Sequence, residues 1–256
     1  MRAIGRILIP TDDLNGALAF FGTTLGFSFQ IEKSTGQGLL RSANVKTPNG
    51  VVLELVTPTP ERAHLYTHPM VVLTVRDVDS TQRQLQAQGI DFLESIDPEQ
   101  TWSVCRVPGS TPVQLQGAAQ PGHPKTIVQG AAGVEWILVP STQFEATVSC
   151  FADTLGLPIQ AQGEPVCDRR FHRYAQCLTT NGVVLEVVEP IPTQRAHFSS
   201  PVVSLTVEDL RTAKARLEAD GIALLSDIVD DSEQWGWFYF RLPGAGTFQL
   251  QGPYHP

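Results

Sequence analysis

The chain carries one sequence pattern twice. The segment NGVVLE occupies residues 49–54 and again residues 181–186, about half of the 256-residue chain apart. Other landmarks recur in the same order: TLG at 24–26 and 154–156, RAH at 62–64 and 195–197, and QLQG at 114–117 and 249–252. A repeat this long indicates two fused domains rather than a solenoid of short units. It also supplies an internal control, because a residue found in both copies is more often required by the fold than a residue found in one.

The composition restricts the kinds of partner. The net charge is −8, and no segment is rich in lysine or arginine. Nucleic acids and anionic membranes are bound mainly through clustered basic side chains, so we expect neither as a partner. No stretch has the length and apolarity of a membrane span or signal segment, and the four cysteines have no paired spacing. We therefore expect a cytoplasmic protein with free cysteines.

Each half follows the order strand, helix and three strands, and does so twice. The first module is predicted to have strands at 3–10, 27–32, 38–47 and 51–57, with a helix over Leu14–Leu25. The second is predicted to have strands at 69–76, 90–95, 101–107 and 111–116, with a helix over 78–88. We therefore predict an α+β fold of four βαβββ modules. Residues 1–117 and 134–256 form two domains, and 118–133, rich in Gly, Ala, Pro and Gln, form a linker.

The predicted strand at 51–57 is apolar on both faces and carries a single charged residue. Leu53 and Leu55 lie on one face, and Glu54 lies on the other with Val52 and Val56. The helices must cover one of these faces. A second apolar face that carries one carboxylate predicts a sheet that curves around a cavity.

The module order and three segments resemble the vicinal oxygen chelate superfamily, which includes glyoxalase I, bleomycin-resistance proteins and extradiol dioxygenases. These segments are LNGALAFFGTTLGF after the first strand, VLELV at the end of the first module, and VVLTVRDVD at the start of the next. The resemblance covers nearly the whole chain. It implies paired modules that form cupped, mixed sheets, with a divalent metal held in the cup by side chains from the first and last strands of the modules.

The positions implied as metal ligands can be carried over one by one. The first-strand positions are Arg6, Met70, Trp136 and Val202, and the last-strand positions are Glu54, Gln114, Glu186 and Gln249. Relatives have His, Gln or Glu at the first-strand positions, and this chain has none of them there. A divalent metal requires three or four nitrogen or oxygen donors. We therefore predict metal-free cups without a cofactor. The alternative is a register displaced by two residues, which would place His68 beside Glu54 in a zinc, manganese or iron site.

The two carboxylates then need other partners. We predict an ion pair between Arg6 and Glu54, which either holds a buried carboxylate in place or anchors a ligand. Glu186 has Trp136 at the matching position, and an indole cannot neutralise a carboxylate. Glu186 must then have a raised pKa, pair with another cation or be hydrated, and Arg170, His172 and Arg173 are possible partners. Without such a partner, Glu186 has a raised pKa and suits acid–base chemistry or the binding of a hydrogen-bond donor.

The segment WGWFYF at 235–240 is far more aromatic than its first-half counterpart. Trp102 and Trp237 occur in both copies and are expected in the core. Trp235, Tyr239 and Trp136 are specific to the second copy. They predict either a wall for a flat ligand or a bulkier core.

Three functions follow from these patterns. The first, which we favour, is binding of a small aromatic or apolar molecule in a metal-free cup, as in bleomycin-resistance-like relatives. The second is a lyase, isomerase or dioxygenase of this superfamily, using a metal or using Glu54 or Glu186 as an acid–base group. The third is a structural role in which side chains fill both cups. We expect either a monomer whose halves form a pseudo-dimer or a homodimer.

Overall fold

The structure is a computed structural model that describes residues 3–32, 39–94, 102–117, 133–230, 234–242 and 245–254. Most of the predicted linker lies outside these ranges. Gly133, its last residue, is the first residue of a strand. None of the helices within the described ranges combines the length and the apolarity needed to cross a membrane.

The first half contains two modules in the predicted order. The first consists of β1 (Ala3–Pro10), α1 (Leu14–Ala19), β2 (Ser28–Glu32), β3 (Leu39–Lys46) and β4 (Val52–Pro58). The second consists of β5 (Met70–Val75), α2 (Val78–Ala87), β6 (Phe92–Glu94), β7 (Trp102–Cys105) and β8 (Val113–Gly117). The prediction of β-α-β-β-β modules is therefore confirmed for this half, with element ends displaced by a few residues.

The second half repeats the pattern. Its third module consists of β9 (Gly133–Pro140), α3 (Phe144–Ser149), β10 (Ile159–Gly163), β11 (Phe171–Leu178) and β12 (Val184–Pro190). Its fourth consists of β13 (Val202–Thr206), α4 (Leu210–Ala219), β14 (Ala223–Leu224), β15 (Val229–Asp230), β16 (Trp235–Leu242) and β17 (Gly246–Pro253). The short strand β15 is an addition to the predicted module and pairs with β16.

The first helix differs from its prediction. It begins as expected, because the Asp13 side chain accepts a hydrogen bond from the Gly16 N–H and caps the helix. The α-helix ends at Ala19, however, and the chain continues as a π-helix over Phe20–Thr24. The equivalent helix in the third module ends in the same way at Cys150–Thr154. Gly26, with a φ of 76°, then turns the chain toward β2.

Each half forms its own sheet. The strand order is β2-β3-β4-β1-β5-β8-β7-β6 in the first sheet and β10-β11-β12-β9-β13-β17-β16-β14 in the second. Both sheets are mixed. For example, β1 runs parallel to β4 and antiparallel to β5. The two modules of one half therefore meet along β1 and β5, or along β9 and β13. The halves do not exchange modules to make a sheet, a possibility that the repeat left open.

The two sheets share one apolar core. A single cluster of buried side chains includes Leu53 and Leu55 of the first sheet, Phe240 and Phe248 of the second, and residues of the helices between them. Phe21 of the first half contacts Phe248 with ring centroids 5.8 Å apart. The opposite, concave faces hold two smaller clusters, one in each half. The helices therefore occupy the convex side of each sheet, and the two concave faces are the first cup, in the first half, and the second cup, in the second half.

The most exactly repeated motif joins the halves. The Asn49 amide donates to the Val134 carbonyl at 2.8 Å, and its oxygen accepts from the Val134 N–H at 3.3 Å. Asn181 makes the same two contacts with Ile4, at 2.8 and 3.0 Å. Both asparagines are buried. Each NG turn therefore ties the first strand of the other half, which explains why the asparagine occurs in both copies.

We predict that replacing either asparagine by alanine destabilises the whole protein by about 2 kcal/mol, because the strand N–H and carbonyl lose their buried partners. Chemical denaturation of Asn49→Ala and Asn181→Ala measures the loss. Asn15→Ala is the matched control, since Asn15 accepts only an exposed hydrogen bond from Arg41. A loss no greater than that of the control would contradict the assigned role.

Candidate ligand-binding site

The first cup is closed by an ion pair. Nη1 of Arg6 lies 2.8 Å from Oε2 of Glu54, and 36% of the arginine side chain is exposed against 8% of the glutamate side chain. The predicted Arg6–Glu54 pair is thus confirmed. Burial raises the pKa of the Glu54 carboxyl above its ordinary value, and the Arg6 guanidinium partly offsets that rise.

A cluster of buried apolar side chains lies beside this ion pair in the first cup. Met70 is 2% exposed and belongs to a buried cluster with Val72 and Trp102. Gln114 lies opposite Val72 in the sheet and is buried too. Two residues predicted to bind ligand in this cup, Met70 and Gln114, are therefore among its packed side chains. Their binding role stays a prediction.

The second cup contains a cavity of about 490 Å³. Its volume falls within the usual range for small-molecule sites. Its lining consists of Trp136, Leu138, Pro165, Val166, Cys167, Asp168, Phe171, Tyr174, Gln176, Glu186, Val188, Trp235, Trp237, Tyr239, Gln249 and Gln251. The sequence-predicted residues Trp136, Glu186, Trp235, Tyr239 and Gln249 all lie in this lining. Val202 does not; it is fully buried in the cluster beneath the cavity.

Glu186 is the acidic group in the lining that no arginine holds. Its Oε1 accepts a hydrogen bond from the Gln176 amide at 3.0 Å, and no ion pair within the described ranges includes it. Burial raises the pKa of the Glu186 carboxyl, the Gln176 hydrogen bond opposes the rise, and the Asp168 charge adds to it. The carboxyl is therefore suited to hold or transfer a proton.

The predicted partners of Glu186 were wrong. Arg170 pairs with Asp168 at 3.0 Å, and Arg173 pairs with Glu145 and Glu189. His172 is exposed and lines a separate surface groove. Residues 170–173 enter β11 at the rim, so their side chains meet nearer acidic groups. The partner is instead Gln176, further along the same strand, where it lies directly opposite Glu186.

Asp168 organises the mouth of the cavity, and the sequence analysis missed it. It is 6% exposed and accepts hydrogen bonds from Nη1 of Arg170 at 3.0 Å, from the Trp237 indole at 3.2 Å and from the Tyr239 hydroxyl at 3.0 Å. Trp237, expected in the core, therefore lines the cavity and has a fixed indole. The loop between β10 and β11 resembles nothing in the repeat, and that difference was the only signal for Asp168.

Tyr239 remains a hydrogen-bond donor. Burial raises its pKa well above the ordinary value, and the nearby Asp168 and Glu186 carboxylates raise it further. The Arg170 guanidinium lies 5.1 Å from the centroid of the tyrosine ring and closes the outer side of this cluster. The aromatic wall is thus held rigid by one carboxylate from the loop.

The residues of the cups do not fit a divalent metal. The first-strand positions Arg6, Met70, Trp136 and Val202 supply no donor of the usual kind, and Asp168 is already saturated with hydrogen bonds. Over the ranges that the structure describes, no three His, Cys, Asp or Glu residues come together in a metal-like group. His68, the fallback ligand, is exposed and lies in a groove between the halves with Thr11, Ser200 and Arg241.

Comparison with known proteins agrees with the geometry. Residues 3–104 match the model of the Glyoxalase/Bleomycin resistance protein/Dioxygenase superfamily. This match lies within the first half of the chain, and the second half repeats the same fold. The resemblance inferred from the motifs is confirmed, as is the α+β class with cupped mixed sheets. No curated protein sequence matches the chain.

Solved structures of this fold align along the whole chain. A triple mutant of 4-hydroxymandelate synthase from Streptomyces coelicolor has a TM-score of 0.69 and 14% identity, covering 100% of this chain and 94% of its own. A catechol 2,3-dioxygenase has a TM-score of 0.63 and 15% identity, covering 99% and 93%. The Mn(II)-bound glyoxalase from Novosphingobium aromaticivorans has a TM-score of 0.65 and 14% identity, covering 98% and 83%. At such identities the likeness is one of fold alone.

We predict that Arg6→Met destabilises the protein by about 2 kcal/mol at neutral pH, less than for a fully enclosed pair because part of Arg6 is exposed. Removing the guanidinium raises the pKa of Glu54 further. The penalty is therefore full where Glu54 is ionised, and it shrinks as the pH falls toward the ordinary glutamate value of 4.5. Denaturation curves at several pH values measure this trend. A penalty independent of pH, or one still present in Arg6→Met/Glu54→Gln, would contradict it.

Proposed function

We propose that this protein binds a small aromatic or apolar molecule in its second cup, without a metal. The observation that carries the proposal is the cavity of about 490 Å³, whose lining includes six aromatic side chains. Aromatic and aliphatic side chains supply most of the binding free energy in such sites, and a few polar groups fix the orientation. Here those polar groups are Glu186, Gln249 and Gln251.

The asymmetry between the cups supports the same proposal. In the first cup, Arg6 neutralises Glu54 and an apolar cluster packs around Trp102. In the second, the equivalent carboxylate faces a cavity large enough for a ligand. The hypothesis of a purely structural protein required that no cavity larger than a few water molecules exist in either half. The cavity in the second half is well above that size.

An enzyme of the same superfamily is the second candidate. Glu186 favours it, because a desolvated carboxyl with a raised pKa, turned toward a cavity, suits general acid or base catalysis. Glu54 is less suited, since its carboxylate is held by Arg6 and is nearly inaccessible. The solved relatives include dioxygenases and a manganese-bound glyoxalase. A metal-dependent reaction would need donors that the described residues of the cups do not supply.

The cytoplasmic location and the oligomeric state remain predictions from the sequence. Single-domain relatives are expected to form dimers, and the packing of the two halves through their helices supports the pseudo-dimer within one chain. A homodimer stays open as an alternative.

We expect saturable binding of one aromatic ligand per chain and no chemical change in it. A fragment library screened by ligand-observed NMR, followed by calorimetry, provides the stoichiometry. Trp235→Leu should weaken binding by roughly tenfold, because it removes one wall of the cavity. Trp102→Leu, in the first cup, is the matched control and should leave affinity unchanged. Failure of every fragment class to bind the second cup, whatever its charge, would contradict the proposal.

Metal removal separates the two candidates. We expect purified protein to hold no stoichiometric zinc, manganese or iron, and a chelator to leave ligand affinity unchanged, because the required donors are missing. If turnover of any ligand is found, Glu186→Gln should reduce kcat at least a hundredfold while chelation has no effect. Elemental analysis and product detection by mass spectrometry provide the readouts. One equivalent of metal, with binding lost on chelation, would favour the metalloenzyme.

A further inference from the structure

The two cups hold the same carboxylate in different surroundings. Glu54 on β4 and Glu186 on β12 occupy equivalent positions, each opposite a leucine of the first strand of its half. Two residues earlier on that first strand stand Arg6 in one cup and Trp136 in the other. Arg6 lies beside Val52, and Trp136 lies beside Val184, so the match is one of sheet register as well as of sequence.

The first cup shows what satisfies this carboxylate. There a planar guanidinium reaches Glu54 at 2.8 Å from the position that Trp136 occupies in the second cup. In the first cup, the protein therefore supplies a planar cation of its own, the Arg6 guanidinium. A planar group of N–H donors matches the geometry of a carboxylate, which makes it a stronger partner than a point charge.

The second cup has no cation of its own for Glu186. The arginines nearest to it in sequence pair with other acids: Arg170 with Asp168, and Arg173 with Glu145 and Glu189. Gln176 is neutral and donates to Oε1 of Glu186. Within the described residues, Glu186 is therefore a carboxylate that faces the cavity without a positive partner.

The walls of the cavity suit a flat cation as well. Six aromatic side chains line it: Trp136, Phe171, Tyr174, Trp235, Trp237 and Tyr239. The faces of such rings attract cations and stack on planar groups. Aromatic walls around a single unneutralised carboxylate are complementary to a positively charged ring system rather than to a neutral or anionic one.

We propose that the second cup selects a flat aromatic cation, such as an aryl amidinium or a protonated amino-heteroaromatic, whose charged N–H groups take the place of the Arg6 guanidinium against Glu186. This inference rests on the proposed binding function and specifies the chemical class of its ligand. The remaining ring system stacks between the tryptophans, and Gln249 on β17 faces it from the other module.

The test compares a charged probe, 2-naphthamidine, with a neutral counterpart of the same shape, 2-naphthamide. Three of the four tryptophans line the cavity, so quenching of tryptophan fluorescence reports binding, and calorimetry provides the affinity. We expect the amidine to bind the unaltered protein at least tenfold more tightly than the amide. In Glu186→Gln the two affinities should agree within about threefold.

Two further variants make the test specific. Trp136→Arg rebuilds the first cup in the second, and its internal guanidinium should weaken amidine binding at least tenfold. It also serves as the second route if Glu186→Gln does not fold. Glu189→Gln removes the same charge from the same strand, but at a carboxylate that Arg173 holds outside the cavity. This control should keep the preference for the amidine.

The outcomes distinguish this inference from the proposed function. Equal affinities for the amidine and the amide in the unaltered protein would overturn the cation preference and leave the binding function standing. A preference that survives in both Glu186→Gln and Trp136→Arg would place the amidine elsewhere and would also overturn it. Binding of neither probe overturns it too, and the binding function is then decided by the uncharged members of the fragment screen.

Discussion

The shared apolar core between the two sheets is the interaction on which the rest of the molecule depends. Both sheets turn their convex faces and helices toward it, with Phe21 and Phe248 in contact across the halves. Since burial of this surface is the main driving force for folding, the concave faces are left on the outer sides. Each cup therefore lies on the face of its sheet that points away from the shared core.

The two copies of one carboxylate differ in their surroundings. A carboxylate removed from water requires a cation, hydrogen bonds or a proton. Glu54 has a cation, the Arg6 guanidinium. Glu186 has one hydrogen bond from Gln176 and a raised pKa. The equivalent position on the first strand holds arginine in one copy and tryptophan in the other, so only Glu54 has an internal cation among the described residues.

The open cup is also held in shape by a carboxylate. Asp168 bonds to Arg170, Trp237 and Tyr239 at once, and so fixes two aromatic walls and the loop over the mouth. Rigid aromatic walls lose little conformational entropy when a ligand binds. The Asp168 hydrogen bonds therefore suit the second cup to the ligand-binding role that we propose for it.

The sequence by itself determined the modules, the faces of the strands and the pairing of Arg6 with Glu54. These follow from local periodicity and from a repeat that aligns equivalent positions, and both can be read without coordinates. It also indicated that Trp136, Trp235 and Tyr239 differ between the copies. Only the tertiary structure decided that Gln176 is the side chain that bonds to Glu186, rather than Arg170, His172 or Arg173. The choice of partner depends on which strands lie side by side and on which acidic groups lie nearer the rim. The role of Asp168 was decided there too. Its aromatic partners, Trp237 and Tyr239, are 69 and 71 residues away along the chain, and no local pattern records a contact that the folding of a whole sheet creates.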